Sequence, residues 1–254
     1  MERYLKPSGK ESGNKTDFIL HSPQTGTDYR IFVEAPDAKQ KPWPAVAFMD
    51  GDDQFRFAGE AYRTLQATEK ITPLLLVGVG YGASYTRPGN RRIRDYTPTA
   101  LATEPGSGGA DAFLAFLTET LWPELGSRYP VHGDLRGLAG HSLGSLLVLY
   151  ALFQRELFFN RFLASAPSLW WDDRALLCHA DRLQRTGIAL PARVFFGLGG
   201  NDTPSMTGDL EMIEEQLAAR PFPRLEVNSW RFSRRDHYNV LPDAFREGLR
   251  RLFA

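Results

Sequence analysis

Five short apolar runs constrain this chain most: Ala45–Met49, Leu74–Gly80, Leu135–Ala139, Phe162–Ser165 and Val194–Leu198. They do not alternate cleanly between apolar and polar residues, and each is too short for a typical helix. Each therefore reads as a strand covered on both faces. Helical patterns fill the intervals, near 57–69, 111–121, 142–154, 173–185 and 209–219. Strands alternating with helices predict an α/β architecture with a mainly parallel central sheet and helices on both faces. Ahead of the first run, Asp17–Ser22 and Asp28–Ala35 flank the turn signal Pro23-Gln24-Thr25-Gly26, which predicts an N-terminal antiparallel hairpin. Leu225–Phe232 reads as a late strand and Pro242–Phe253 as a closing helix.

A chain of 254 residues suits one large domain. Residues 16–254 are expected to form it, after a polar and poorly ordered segment at 1–15. Residues 81–110, rich in Gly, Pro, Arg and Thr and without a period, read as a substrate loop. The charged helical stretch 172–190 reads as a small cap insert. Pro123 and Gly126 are expected to disturb the helix that starts near Asp111. Thirty basic residues balance thirty acidic ones, so there is no global cationic field to recruit nucleic acid. The apolar runs are too short to cross a bilayer, which argues against membrane insertion. The opening MERYLKPSGKESGNKTDF has no secretory-signal pattern as given, so cytoplasmic residence is the default expectation, and a periplasmic one if a signal has been removed. The lone cysteine, Cys178, cannot form an internal disulfide or a multi-cysteine zinc site.

Gly140-His141-Ser142-Leu143-Gly144 lies between the run Leu135–Ala139 and an apolar helix. A G-x-S-x-G pentapeptide in a strand–turn–helix context presents its serine on a sharp, strained turn, with free helix N–H groups beside it. A serine hydroxyl needs an adjacent base. Of the five histidines, His237 alone follows the last predicted strand, where loops converge on the crevice that also holds the serine. His141 is expected to point elsewhere from the turn. The acid should follow the penultimate strand, where Gly199-Gly200-Asn201 leads to Asp202, a residue that an Asx turn would explain equally well. Glu211, Glu214 and Asp236 are alternative acids, and a Ser–His dyad without a close acid is a further alternative. Backbone N–H groups of Leu143 and Asp52 are the expected oxyanion donors. Asp50, Asp52 and Asp53 lack the spacing of a hard-cation loop, so no metal and no cofactor is expected.

Arg87, Arg91, Arg92 and Arg94 cluster in the 81–110 loop. Guanidinium groups suit an anionic substrate, and an ion pair between Arg94 and Asp95 explains part of the cluster equally well. Trp170 and Trp171 follow the strand Phe162–Ser165. One of them suits a stacking surface for aromatic rings of a substrate, and core filling by one or both explains the pair equally well.

The combination of Met49-Asp50-Gly51-Asp52, Gly78-Val79-Gly80-Tyr81, Arg94-Asp95-Tyr96-Thr97-Pro98, the Gly140–Gly144 pentapeptide and Ser165-Ala166-Pro167-Ser168-Leu169-Trp170-Trp171 resembles the esterase D-like branch of the α/β-hydrolases. Within that branch it is most similar to esterases that open trilactone siderophores. The resemblance spans roughly residues 17–254. It implies a serine esterase working through an acyl-enzyme, with nucleophile Ser142, base His237 and oxyanion donors Asp52 and Leu143. Tyr81, Arg91, Arg94, Trp170 and Trp171 are the expected substrate contacts, and the expected partner is a small-molecule ester such as a ferric siderophore. A general acyl or aryl esterase, an acyltransferase and a catalytically silent binding protein remain alternatives. Ser145 stands where the branch usually has a second glycine after the elbow and is expected to crowd helix–strand packing slightly, leaving the nucleophile untouched.

Overall fold

The computed structural model describes residues 14–68 and 71–254. Eight strands form one sheet: β1 Lys15–Ser22, β2 Thr27–Glu34, β3 Trp43–Phe48, β4 Leu75–Gly80, β5 Val131–His141, β6 Arg161–Ser165, β7 Ala192–Gly199 and β8 Leu225–Phe232. Their spatial order is β1-β2-β4-β3-β5-β6-β7-β8. The hairpin β1–β2 and its join to β4 are antiparallel, and every later pairing is parallel. Lys15 already pairs with Glu34 in this ladder, so the segment expected to be poorly ordered ends before it, and the rest of that expectation lies outside the described residues.

Successive side chains of a strand point to opposite faces. In β3, Ala45 and Ala47 enter one apolar cluster while Val46 and Phe48 enter a second. Two covered faces explain why the run shows no polar alternation. The second cluster lies under α1 (Gly51–Thr68) and α8 (Leu241–Phe253). Opposite it lie α3 (Ala110–Ala115), α4 (Trp122–Arg128), α5 (Leu143–Leu152), α6 (Trp171–Gln184) and α7 (Pro204–Ala219). A four-residue helix, α2 (Arg92–Asp95), interrupts the 81–110 loop.

Three elements differ from the sequence expectation. The helix placed near 57–69 starts at Gly51, so the Asp52-Asp53 pair belongs to its first turn, where acidic side chains complement the helix dipole. The helix from Asp111 does not end at Pro123. A π-helical turn, Phe116–Leu121, leads into α4, and Pro123 falls in the first turn of that segment. A proline inside a regular helix loses one hydrogen bond and clashes with the carbonyl four residues back, and the wider turn accommodates it. Residues 172–190, expected as a cap insert, supply α6, the crossover helix from β6 to β7. Its Leu176, Leu177, Ala180 and Leu183 are part of the main core. Among the described residues no helix is long and apolar enough to cross a membrane.

Candidate active site

Parallel strands deliver their carboxyl ends to one edge, and the candidate residues sit on the loops there. Ser142 joins β5 to α5 with φ 56 and ψ −119, a conformation that side chains other than glycine's rarely adopt. Gly140 permits it: a Cβ there would lie 2.5 Å from the Gly144 carbonyl. Ser145, expected to crowd helix–strand packing slightly, instead bonds across it. Its buried Oγ is 2.7 Å from the carbonyls of both Gly140 and Ser165, so the hydroxyl stitches the start of α5 to β5 and β6.

His237 Nε2 lies 3.0 Å from Ser142 Oγ, and its Nδ1 lies 3.3 Å from Asp202 Oδ2. Ninety-five residues of chain separate the first pair. Backbone packing brings the two acid–base loops together, since a Cβ on Gly199 would lie 2.5 Å from the Arg235 carbonyl and Asn201 N–H donates to that same carbonyl at 2.8 Å. The Asp202 side chain is fully buried, and its other oxygen accepts from Thr203 N–H at 2.8 Å. One oxygen of Asp202 thus shapes the turn while the other faces the imidazole. Of the alternative acids, Glu211 is exposed on α7, and the other two are engaged elsewhere. Asp236 accepts from the N–H groups of Tyr238 and Asn239, and Glu214 pairs with Arg231.

Leu143 opens α5, and Asp52 lies in the first turn of α1, positions whose N–H groups have no helical carbonyl to bond. The Asp52 carboxylate accepts from Tyr81 N–H at 2.5 Å and from Gly82 and Ala83 N–H, which fixes the turn after β4. Burial raises its pKa, and those three donors pull it back. The neighbouring Asp50 has φ 54, and its fully buried carboxylate takes a bidentate bond from Arg92 at 2.8 and 3.0 Å. Its N–H donates to the Tyr96 hydroxyl at 2.9 Å. Burial pushes the Asp50 carboxyl up against the pull of Arg92. Asp53 turns away and accepts from Tyr85 N–H. Among the described residues no three His, Cys, Asp or Glu side chains are grouped so as to hold a metal.

The substrate contacts expected from the sequence mostly resolve otherwise. Arg94 binds Asp95 at 2.6 Å, Thr27 Oγ1 at 2.8 Å and the Thr25 carbonyl, so it ties the 81–110 loop to the hairpin turn. Tyr81 donates to Asp95 Oδ2 at 3.0 Å, and burial, then Tyr96 and Asp95, hold its phenol protonated. Arg91 is exposed, beside a surface depression formed by the hairpin turn and the 89–94 stretch. Trp171 is 3% exposed and donates from Nε1 to Thr99, whereas Trp170 is 47% exposed. Trp171 thus fills core, and Trp170 is open to solvent.

Residues 22–219 match the protein family described as "Putative esterase". The chain belongs to this esterase family. A siderophore triacetylfusarinine C esterase of Aspergillus fumigatus is 34% identical over 71% of this chain and 65% of its own length, so the match spans just under two thirds of that relative. The ferri-bacillibactin esterase BesA of Bacillus subtilis is 28% identical over 91% of this chain and 87% of its own. Among solved structures, the siderophore hydrolase EstB of Aspergillus nidulans superposes with a TM-score of 0.81 at 26% identity, covering 96% of each chain. The esterase has the α/β-hydrolase fold.

Sequence reasoning missed two side chains of the candidate site. Ser168 Oγ lies 3.2 Å from Ser142 Oγ. Its signal was its place in the loop after β6, beside the nucleophile strand. His141, expected to point away, packs its ring 4.9 Å from that of His237. It bonds the Ser165 hydroxyl at 3.0 Å and the backbone of His237. Burial first, then the charges of His237 and Arg92, lowers its pKa to about 3, so it remains a neutral spacer beside His237.

Proposed function

We propose that this chain is a serine carboxylic-ester hydrolase whose substrates are siderophore-type esters. One observation carries the chemistry: a serine hydroxyl on a strained elbow, 3.0 Å from an imidazole nitrogen whose other nitrogen faces a buried carboxylate. An Asp202 carboxylate can only accept, so Nδ1 of neutral His237 carries the proton and Nε2 is free to take one from Ser142. As Ser142 Oγ bonds to the ester carbonyl carbon, its proton passes to Nε2 and the carbonyl electrons move onto oxygen. The N–H groups of Leu143 and Asp52 receive that charge, each worth about a hundred- to a thousandfold in turnover. The carbon–oxygen bond to the alcohol then breaks, and His237 returns the proton to the departing oxygen. Water, deprotonated by the same histidine, releases the acid from Ser142.

The substrate class rests on the relatives. Exposed Trp170 and Tyr238, the latter 91% exposed and edge-on to His237 at 5.6 Å, supply aromatic surface suited to planar acyl groups. Arg92 and Arg94 are already paired, so anion binding by the loop falls to Arg87 and Arg91. A panel of a ferric trilactone, a feruloyl ester and p-nitrophenyl esters tests the proposal. The expected result is the highest kcat/KM on the trilactone, with all turnover lost in Ser142→Ala. Undiminished turnover by that variant refutes the mechanism, and a preference for simple acyl esters refutes the substrate class.

A further inference from the structure

The Ser168 side chain is 2% exposed, and its hydroxyl has one hydrogen-bonding neighbour among the described residues, the nucleophile Ser142 Oγ at 3.2 Å. The loop is held independently of that contact: Ser168 N–H donates to the Ser142 carbonyl at 3.2 Å, and Ser142 N–H donates to the Ser165 carbonyl at 2.9 Å. The direction of the hydroxyl contact follows from the chain of partners. With Nδ1–H facing Asp202, Nε2 accepts, so the single Ser142 proton points at His237. A contact between the two serine oxygens then requires Ser168 to be the donor. We infer that Ser168 is a further catalytic residue, whose hydroxyl donates a hydrogen bond to Ser142 Oγ that strengthens whenever that oxygen carries negative charge.

The inference rests on the serine-esterase reading above. In the resting enzyme the bond joins two neutral groups. As the Ser142 proton moves to His237 and the bond to the carbonyl carbon forms, Oγ gains charge, and a hydrogen bond to a charged oxygen is about twice as strong as a neutral one. In the acyl-enzyme that oxygen is an ester oxygen and a weak acceptor. When water has added and the acyl carbon leaves Oγ, charge returns until His237 delivers its proton. The Ser168 proton stays on Ser168 throughout. Its bond is therefore strongest in the transition states of both half-reactions, which is the condition for accelerating the chemistry without merely tightening substrate binding.

Ser168→Ala tests this, with Ser168→Cys as a near-isosteric weak donor should the alanine variant fold poorly. Turnover of p-nitrophenyl and alkyl esters is measured alongside the rate of covalent labelling of Ser142 by a fluorophosphonate. The expected outcome is a kcat lower by roughly ten- to a hundredfold, KM changed by less than about twofold, the same deficit for every leaving alcohol, and labelling slowed to a similar degree. Unchanged turnover and labelling in both variants overturn the inference. So does a deficit that varies with the leaving alcohol, which places the hydroxyl on the substrate instead. A wild-type protein that takes no label overturns the serine-esterase reading itself, whereas a labelled wild type with unaffected variants overturns the role of Ser168 alone.

Discussion

Removing the Arg92 guanidinium exposes how the loop that leads to Asp52, the proposed oxyanion donor, is held. In Arg92→Met the fully buried Asp50 carboxylate loses its bidentate partner and keeps only a 3.4 Å contact to Gln54. An uncompensated buried charge costs about 3–5 kcal/mol. Asp50 can escape that cost by taking a proton, at about 1.4 kcal/mol for each pH unit above its ordinary value of 3.8. The ceiling is then about 4 kcal/mol at pH 7 and below about 2 kcal/mol at pH 5. The sign follows from linkage: a carboxyl whose folded pKa is raised favours folding below its unfolded pKa, and that contribution is lost as pH rises through the folded value. The wild type already carries part of this cost, because burial raises Asp50 even with Arg92 present, so the variant should lose less than about 4 kcal/mol at pH 7, a fall in Tm of at most roughly 8–12 °C for a domain of this size, and a smaller amount at pH 5. Urea unfolding at both pH values reads this directly. Adding Asp50→Asn should restore most of the stability. Because Asp50 holds φ 54 two residues before Asp52, kcat should also fall about a hundredfold as the Asp52 N–H is misplaced. A loss below about 1 kcal/mol at pH 7, or a gap that does not narrow toward pH 5, refutes the reasoning.

Three further outcomes follow from the geometry. Asp173 has φ 47 and a side chain 99% exposed, in a run of three left-handed residues, so Asp173→Gly should stabilise by about 0.5–1 kcal/mol in denaturant unfolding. His141 titrates near 3 when folded, so its contribution to stability is full above about 6.5 and falls by about 1.4 kcal/mol per pH unit below that; His141→Gln should flatten this acid limb in thermal unfolding. Trp171→Ala should cost about 3–5 kcal/mol, whereas Trp170→Ala should leave Tm within a few degrees and raise KM for aryl esters, as steady-state kinetics will show.

The strands were legible because burial on both faces writes itself as continuous apolar runs, and each of the five runs became a parallel strand. Helix ends were less so. The first turn of α1 carries Asp and Gly, which read as loop until the dipole and the packing of Gly51 against β4 are seen. Ser142, His237 and Asp202 were legible because each stands at a strand end, where topology decides convergence. Arg94 takes the pairing with Asp95 that the sequence offered beside substrate binding, and Tyr81, named from the resemblance, turns to the same carboxylate, because composition reports that a loop is cationic and not that a buried Asp95 gathers its neighbours. Ser168 and His141 were missed for the converse reason: their relevance comes from proximity across strands, which no local pattern records.

The central claim is that Ser142 is made nucleophilic by His237. Intact-mass spectrometry after fluorophosphonate treatment, with peptide mapping, tests it most directly. The account predicts one added label per chain, located on Ser142, and loss of that label in both Ser142→Ala and His237→Asn. An unlabelled wild type, a label on another residue, or a His237→Asn variant that reacts as fast as the parent contradicts it.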